Sequence, residues 1–518
     1  MTTYFSPVNR MTGLASGLDI DQIVQDLMRA ERAPLDRLLQ QKQIMEWQRA
    51  DYRSINQVLY DFRTNHAFNL SLTKTFQAYK ATSSNEAVVT ATPGSGAQTG
   101  TYNITVHRLA QVASDISSDT LSADPVNNKI DPTQTLDSQA AKFRVAMSGT
   151  SHQFSITTYK PDGTPVTESF TVDSTTDSLN DVLARINAKS STLGVTAFYE
   201  SSTDKVVIST TRTGDYATNE IEISDVTGNF ALGTLQLAAT AQGTDALVDI
   251  NGLTGIKQHE NTFTLNNVTF NLKGTSTDAV LVTVARDNEA IFNTIKTFVE
   301  QYNATLDKLY AELKDERYPD YLPLTDDQKK EMSDREIEQW EEKAKSGLLK
   351  GDALLNDITY KLRRALSTPV AGADPALDRL FDLGITTGGY WEGGKLYIDE
   401  TKLREKIAAD PDAVANLFTK SSDVYEEQGL GVRLADELQN AIDRLSDKAG
   451  SVYTSTLYDQ SYLSRSIRQL DDRIAATEDR LAQIEERYWR QFTAMEQYIA
   501  QMNAQASWLT QQFSMYGG

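Results

Sequence analysis

Residues 463–513 read LSRSIRQLDDRIAATEDRLAQIEERYWRQFTAMEQYIAQMNAQASWLTQQF, and this stretch decides how the C-terminal part of the chain folds. Its mostly apolar residues recur at steps of three and four, and they are Leu463, Ile467, Leu470, Ile474, Thr477, Leu481, Ile484, Tyr488, Phe492, Met495, Ile499, Met502, Ala506, Leu509 and Phe513. This spacing lines up one face of a helix. We therefore predict one long helix of about fifty residues, reaching on the order of 75 Å.

A second helical pattern lies near the N-terminus, from Asp19 to about Phe62. Asp19 and Gln22 are placed as a variant of the capping box, and Pro34 predicts a break, so two helices are expected there. The residues that repeat at intervals of seven in the second helix are Leu38, Met45, Tyr52 and Leu59. This pattern is typical of a short, imperfect coiled coil.

Between the two ends the sequence becomes rich in Thr, Ser, Val and Gly, from about Ala78 to Ala285, which predicts strands joined by turns. One helix is expected inside this region, from Ser178 to Asn187, with Asp177 as its cap. After Asp287 the helical pattern returns, and the charged segment 315–342 is predicted as a helical hairpin. The capping pairs in that hairpin are Thr325 with Gln328 and Ser333 with Glu336.

The composition excludes several classes of function. The chain has 71 acidic and 50 basic residues, a net charge of -21, which disfavours nucleic-acid binding. No apolar run is long enough to span a membrane, and the first residues lack the apolar core of an ordinary cleaved signal peptide. There are no cysteines, and the four histidines are scattered. We therefore predict no enzyme activity, cofactor or metal site.

Several motifs resemble the flagellar filament cap protein family, also called flagellar hook-associated protein 2. They are GLASGLDID at residues 13–21, LMRAERAPLD at residues 27–36, LGITTGGYWEGGKLYID at residues 383–399, DPDAVANLF at residues 410–418, and RQFTAMEQYIAQMNAQASWL at residues 490–509. The stretch from Ser178 to Ile223 is similar to a repeat inserted in several flagellar axial proteins. The resemblance covers most of the chain and is weakest from Ala110 to Thr176.

The resemblance implies that the two termini pair as a helical leg and that the middle forms outer β domains. Together with the order helix, strand, helix, it predicts a multidomain α+β fold with terminal coiled-coil helices and a helical stalk domain that carries nested, inserted β-rich domains. The predicted division is 1–45 for the N-terminal leg segment, 46–79 and 287–460 for the stalk, 80–109 and 243–286 for an inner β domain, 110–242 for an outer β domain with the repeat near 178–223, and 461–518 for the C-terminal leg helix.

Family membership would also define a function and a set of partners. It implies a structural cap at the distal tip of the bacterial flagellar filament, where a homo-oligomeric ring retains exported flagellin and promotes its folding and insertion. The implied partners are flagellin, the filament end, the hook–filament junction proteins and, before secretion, an export chaperone. The protein would be extracellular and exported by the flagellar type III system. Adhesin-like binding of surface or host glycans by the outer β domains, or another flagellar axial or junction protein, are the alternatives.

The apolar stripes at the two ends are the candidate partner-binding surface. Its residues are Leu18, Ile23, Val24, Leu27, Leu470, Ile474, Leu481, Ile484, Phe492, Met495, Ile499, Met502, Leu509 and Phe513. Each large apolar side chain gains roughly 1.5 to 3 kcal/mol only when it leaves water, so a lone helix needs a partner along its length. The alternative is an internal coiled coil between the two ends, and the two interpretations are compatible. Two interpretations fit Trp391 and Tyr397, which flank Gly393 and Gly394. They form either an adhesive hairpin tip or a turn with one buried aromatic, and we favour the turn and assign these residues no function.

Overall fold

The chain folds into a helical unit and a β-rich unit, and the β-rich unit is inserted between two segments of the helical unit in sequence. The computed structural model describes residues 16–451 and 459–516. The described residues up to Phe76 and from Asn288 onward form the helical unit, and Gln77–Asp287 forms the β-rich unit. This arrangement confirms the predicted multidomain α+β fold with β-rich structure inserted between helices.

The secondary-structure elements follow in chain order. The helices of the described residues are α1 (Ile20–Phe62), α2 (Phe68–Leu70), α3 (Thr73–Phe76), α4 (Leu179–Ala188), α5 (Ser190–Leu193), α6 (Asn288–Lys314), α7 (Asp326–Lys330), α8 (Asp334–Lys345), α9 (Ala353–Ser367), α10 (Glu400–Ala409), α11 (Pro411–Thr419), α12 (Leu430–Ala449) and α13 (Tyr462–Tyr516). The strands are β1 (Tyr79–Ser83), β2 (Val89–Pro93), β3 (Gly100–Arg108), β4 (Val112–Ile116), β5 (Ser151–Tyr159), β6 (Pro165–Asp173), β7 (Val195–Glu200), β8 (Lys205–Thr213), β9 (Ile221–Thr227), β10 (Thr240–Ala241), β11 (Ala246–Ile250), β12 (Leu253–Gln258), β13 (Thr262–Leu265), β14 (Val268–Leu272), β15 (Val280–Arg286), β16 (Ile385–Thr387) and β17 (Leu396–Ile398). A π-helical turn, Arg63–Ala67, joins α1 to α2.

Helix α1 is continuous through Pro34, so the predicted break and the predicted pair of helices are wrong. A proline inside a helix removes one hydrogen bond and crowds the preceding turn, which is enough to end an isolated helix. Here Leu35 and Leu38, in the turn that follows, are buried against α13. Tertiary packing therefore holds the helix on both sides of the proline, and local sequence alone could not reveal this.

The caps at α1 and α4 follow the predictions only in part. Asp19 accepts a hydrogen bond from the Gln22 amide at 3.0 Å, as expected for an N-cap. The Gln22 side chain, however, donates to Asp26 instead of completing the box. The predicted cap of α4, Asp177, is wrong, because Ser178 is the N-cap and forms a complete capping box with the residue three positions on. A serine at this position competes effectively because its hydroxyl reaches the third amide of the helix.

The charged segment after α6 forms two short helices, α7 and α8. Both predicted capping boxes are confirmed, Thr325 with Gln328 and Ser333 with Glu336. The residues between Lys314 and Thr325 are not helical, so the helical part of the hairpin is shorter than predicted.

The β-rich unit is built from four antiparallel sheets. Their strand orders are β1-β15-β3-β11-β12, β10-β9-β5-β6, β13-β14-β2 and β4-β8-β7. One apolar cluster contains Phe154, Phe170 and Phe230, and a separate cluster contains Tyr102 and Phe270. The finer predicted boundaries, including 110–242 for an outer β domain, stay a prediction.

The helical unit has an aromatic core and polar ties between distant segments. Phe62 stacks on Phe298 with 5.9 Å between ring centroids, and Phe298 lies 6.2 Å from Tyr302. The Tyr52 hydroxyl donates to Asp352 at 2.7 Å, so α1 is tied to the N-cap of α9. Packing and hydrogen bonding thus join the N-terminal helix to segments that follow the β-rich unit.

The hairpin β16–β17 carries exposed aromatics, so the predicted turn with one buried aromatic is wrong in that respect. Trp391 is 87% exposed, and Tyr397 is also exposed. The Tyr397 hydroxyl donates to Glu392 at 2.6 Å, which holds that ring across the turn on the surface. Positive φ angles at Gly393 and Gly394 permit the tight reversal.

Candidate partner-binding surface on the terminal helices

Helix α13 is 55 residues long, which confirms the long helix predicted from the spacing of three and four. None of the helices within residues 16–451 and 459–516 has the length and apolar character needed to cross a bilayer. The helix is amphipathic instead, and its apolar face must be covered by protein to contribute to stability. How far α1 covers it determines what remains for a partner.

The first half of α13 is covered by α1. Leu470, Ile474 and Leu481 form a buried cluster with Leu35 and Leu38 of α1. Met28 and Met45 pack along its sides. Three of the predicted partner-binding residues are therefore occupied by the chain's own N-terminal helix.

Polar contacts flank this apolar seam. Lys42 lies 2.7 Å from Asp471, and the hydrogen bond and charge of Asp471 raise the pKa of Lys42. Further along, the Tyr488 hydroxyl lies 3.1 Å from a Glu31 carboxylate oxygen and donates to it. These contacts fix the register of the two helices as far as Tyr488.

Burial of the stripe residues decreases along α13 after Leu481. Ile484, Phe492, Met495 and Ile499 are half-buried, whereas Met502 and Leu509 are exposed. The side chain of Phe513 lies outside the described residues. The predicted C-terminal stripe therefore divides into a covered part and an open part.

The open part forms what we term the distal stripe, consisting of Tyr498, Met502, Trp508 and Leu509. Their side chains are 72%, 61%, 58% and 48% exposed, respectively. Residues 498, 502 and 509 share one helix face because steps of four and seven return to the same side. Tyr498 and Trp508 were missed from sequence because each lies one position before a residue of the regular stripe. Adjacent apolar pairs, which widen the stripe, were the signal that could have identified them.

The N-terminal residues of the predicted surface are also divided. Val24 is buried and Ile23 is half-buried, whereas Leu18 and Leu27 are exposed. Just before them, the Ser16 hydroxyl donates to the Glu496 carboxylate on α13. The residues that lead into α1 therefore lie beside Glu496 of α13, two residues before the start of the distal stripe.

The composition of this surface suits association with another protein. Its exposed side chains are apolar or aromatic, and such residues supply much of the binding energy when a partner covers them. In the described part of the chain, no three His, Asp or Glu side chains are grouped closely enough to hold a metal ion. An apolar helix or groove on another protein is the kind of partner that fits.

Two family models match this chain. The model of the flagellar hook-associated protein 2 N-terminus matches residues 16–113, and the model of its C-terminus matches residues 243–504. The C-terminal match includes α13 as far as residue 504 and stops before Trp508. The buried seam between α1 and α13 therefore lies within the matched regions.

Similar proteins cover from about two thirds to nearly all of the chain. Flagellar hook-associated protein 2 of Halalkalibacterium halodurans is 34% identical over 544 residues, which covers 97% of this chain and 99% of that protein. The protein of the same name from Thermotoga maritima is 31% identical and covers 65% of this chain and 52% of its own length. Among solved structures, the D1-D2-D3 domains of the flagellar cap protein FliD from Escherichia coli are similar in fold. That structure has a TM-score of 0.54 at 21% identity and covers 81% of this chain and 99% of its own chain.

Proposed function

The chain belongs to the flagellar hook-associated protein 2 family and is a flagellar filament cap protein, and we propose that it works as a homo-oligomeric ring at the distal end of the filament. The ring retains exported flagellin and promotes its folding and insertion. Such a role uses binding surfaces and needs no catalytic group, in agreement with a family of structural proteins.

The observation that carries this proposal is the distal stripe. In a lone molecule, the part of the apolar face that α1 does not cover stays in contact with water. The hydration of each large apolar side chain there is unfavourable in free energy. We infer that the filament end and the incoming flagellin cover Tyr498, Met502, Trp508 and Leu509. Leu18 and Leu27 extend the same contact from the side of α1.

The remaining partners follow from the same surface. Before secretion, the distal stripe would be an aggregation hazard inside the cell, and an export chaperone that covers it removes the hazard. Export by the flagellar type III system and contact with the hook–filament junction proteins complete the proposal. The similar proteins give no support to the adhesin alternative.

A complementation experiment tests the proposal. Cells that lack the gene are given either the wild-type chain or the double variant Met502→Asp and Leu509→Asp, which places charges on the distal stripe. A matched control carries Asn503→Asp and Ser507→Asp, which lie on the opposite, exposed side of the same helix. We expect wild type and control to restore filaments, and the double variant to release monomeric flagellin into the medium. Normal filaments from the double variant would contradict the proposal.

A further inference from the structure

A cavity of about 500 Å³ opens on the surface of the helical unit, away from the distal stripe. It lies between α9, the short 3-10 turn Leu380–Leu383 and the hairpin β16–β17. Leu380, Ile385 and Leu396 line its floor and are buried, whereas Tyr360 and Phe381 line it and are exposed. A pocket with an apolar floor and exposed aromatics at its edge has the composition of a protein-binding hot spot.

Tyr302 on α6 also lines this cavity, although only 1% of the residue is exposed. Its ring packs on Phe62 and Phe298, which leaves the hydroxyl as the end that reaches the cavity. No residue of the described chain forms a hydrogen bond with this hydroxyl. Burial raises the pKa of Tyr302, so the hydroxyl stays a neutral donor. A hydroxyl without a partner gains a hydrogen bond when a ligand brings an acceptor.

Arg363 on α9 supplies the positive charge. Within the described residues, no carboxylate pairs with its guanidinium, whereas Arg379 on the same cavity wall is bonded to Asp378 at 2.7 Å. Arg363 lies so close to Gly394 that a Cβ there would approach its Nε to 2.3 Å. The glycine therefore lets the guanidinium lie along the hairpin, facing the same cavity as Tyr302.

The hairpin wall of the cavity is held in place before any ligand arrives. The Asn303 side chain on α6 both donates to and accepts from the Leu396 backbone, each at 2.8 Å. The Tyr310 hydroxyl donates to the Gly393 carbonyl at 2.8 Å. A wall fixed by its own hydrogen bonds does not have to be ordered when a ligand binds, which favours affinity.

The chemistry of the cavity fits a carboxylate carried by a protein segment. An arginine and a carboxylate form short, charge-assisted hydrogen bonds, and a neutral tyrosine hydroxyl adds a second donor to the same group. The exposed rings of Tyr360 and Phe381 offer contact area to the residues on either side of that carboxylate.

The chain itself displays such carboxylates on α8. Asp334, Glu338 and Glu342 are exposed and follow one another at steps of four, so they share a helix face. No cation of the described chain pairs with them, whereas Glu341, on another face, is bonded to Lys329 at 2.8 Å. Like charges at this spacing repel one another, so the face gains from an external cation.

We propose that the cavity around Arg363 and Tyr302 binds the acidic face of α8 from a second copy of this chain. The contact joins two different surfaces, and repeated contacts of this kind close into a ring when the rotation between copies allows it. The charge of one surface complements the other, and this complementarity selects the register of neighbouring copies. The inference rests on the homo-oligomer proposed above and deepens it.

Charge reversal and its rescue test the contact. Sedimentation of the purified full chain over a range of concentrations gives the assembly constant of wild type, Arg363→Glu, Glu338→Arg and the double variant. Lys308→Glu, on the exposed part of α6, is the control for net charge. We expect each single variant to weaken assembly at least tenfold, the double variant to recover most of the loss, and the control to stay within twofold of wild type. A double variant no better than the singles would overturn the contact.

A second variant separates this contact from general damage to the fold. Tyr302→Phe removes only the hydroxyl without a partner, so the thermal midpoint of the subunit should stay equal or rise while assembly weakens several-fold. Unchanged assembly in both Tyr302→Phe and Arg363→Glu would overturn the contact and leave the cap role intact. Normal assembly of Arg363→Glu with weaker binding of monomeric flagellin would replace the second copy with flagellin as the occupant. Failure of the cap role appears separately, as wild type that does not restore filaments in the complementation experiment.

Discussion

Arg53 and Asp459 form an ion pair at 2.6 Å that ties α1 to the residues leading into α13. The arginine also donates to the Ala449 carbonyl at the end of α12, at 2.8 Å. Asp459 in turn accepts from the Ser464 hydroxyl at 2.5 Å. Burial raises the pKa of Asp459, but hydrogen bonds from Ser464 and Ser461 and the charge of Arg53 lower it overall, so the carboxylate stays ionised.

Removing the Asp459 carboxylate should lower the free energy of unfolding. Asp459→Ala leaves the Arg53 charge almost buried without its anion, and breaking a pair of this kind typically costs about 3 kcal/mol. Urea unfolding followed by circular dichroism measures the loss. Asp471→Ala is the matched control, because it breaks the exposed pair with Lys42 and should cost about 1 kcal/mol or less. Equal effects from the two variants would contradict the importance of burial at Asp459.

Ionisation of Asp51 should make the helical unit less stable at neutral pH than near pH 4. Burial and the nearby charges of Glu312 and Asp315 raise its pKa to about 6. Because the folded-state pKa lies above the unfolded value near 4, the folded chain binds the proton more tightly, and stability falls as pH rises from about 4 to 6. We expect Asp51→Asn to raise stability by about 1 to 2 kcal/mol at pH 7.5, after allowance for solvent screening.

The pH profile is the readout for Asp51. The difference in thermal midpoint between Asp51→Asn and wild type should shrink toward zero near pH 4, where wild type is largely protonated. A difference that does not change between pH 4 and pH 7.5 would show that the carboxyl charge is not its cause.

His152 is a weak point in the β-rich unit. It is 1% exposed on β5, and neither ring nitrogen has a hydrogen-bond partner in the described part of the chain. Replacing an unsatisfied buried polar ring by an apolar side chain removes its desolvation cost, so His152→Leu should stabilise this region by about 1 kcal/mol. Slower amide exchange in β5 and β6 is the expected measurement. Faster exchange would indicate that the ring nitrogens are satisfied in solution.

Gly228→Ala is the companion test beside His152. The glycine has φ +76°, and a Cβ there would lie 2.4 Å from the His152 Nδ1 atom. This variant should therefore destabilise the same strands, with faster amide exchange in β5 and β6. The two variants together distinguish the effect of polarity from the effect of crowding.

Leu470 and Leu509 lie on the same helix and should behave in opposite ways. Leu470→Ala opens a cavity in the α1–α13 seam and should lower the free energy of unfolding by about 2 to 4 kcal/mol. Leu509→Ala changes an exposed side chain and should alter it by about 0.5 kcal/mol or less. Filament length in complemented cells should nevertheless fall with Leu509→Ala. A large loss of stability there, with normal filaments, would contradict an external partner at the distal stripe.

Periodicity and capping chemistry made the helices and the strand-rich middle predictable from sequence. The alternation of three and four from Leu463 onward is a local signal, and so are the capping boxes that begin with Thr325 and Ser333. The break at Pro34 was wrong because packing on α13, which is far away in sequence, outweighs a local penalty.

The candidate sites were predictable to different degrees. The apolar stripe on α13 was visible, but the length over which α1 covers it depends on how the two helices align. The cavity around Arg363 was not visible, because Tyr302, Arg363 and Gly394 come from three separate elements and no short motif joins them. A surface assembled from segments that are distant in sequence can be identified only from the three-dimensional structure.

Arg53 and Asp459 form an ion pair although they are 406 positions apart in sequence. The separation is large because the whole β-rich unit is inserted in the sequence of the helical unit. During synthesis of this chain, α1 leaves the ribosome long before α13, the helix that packs against it, has been made. Leu35 and Leu38 of α1 therefore stay uncovered by α13 during this time, while the inserted sheets are free to fold by themselves. Completion of the helical unit is therefore a late event, which requires the synthesis of the 55 residues of α13.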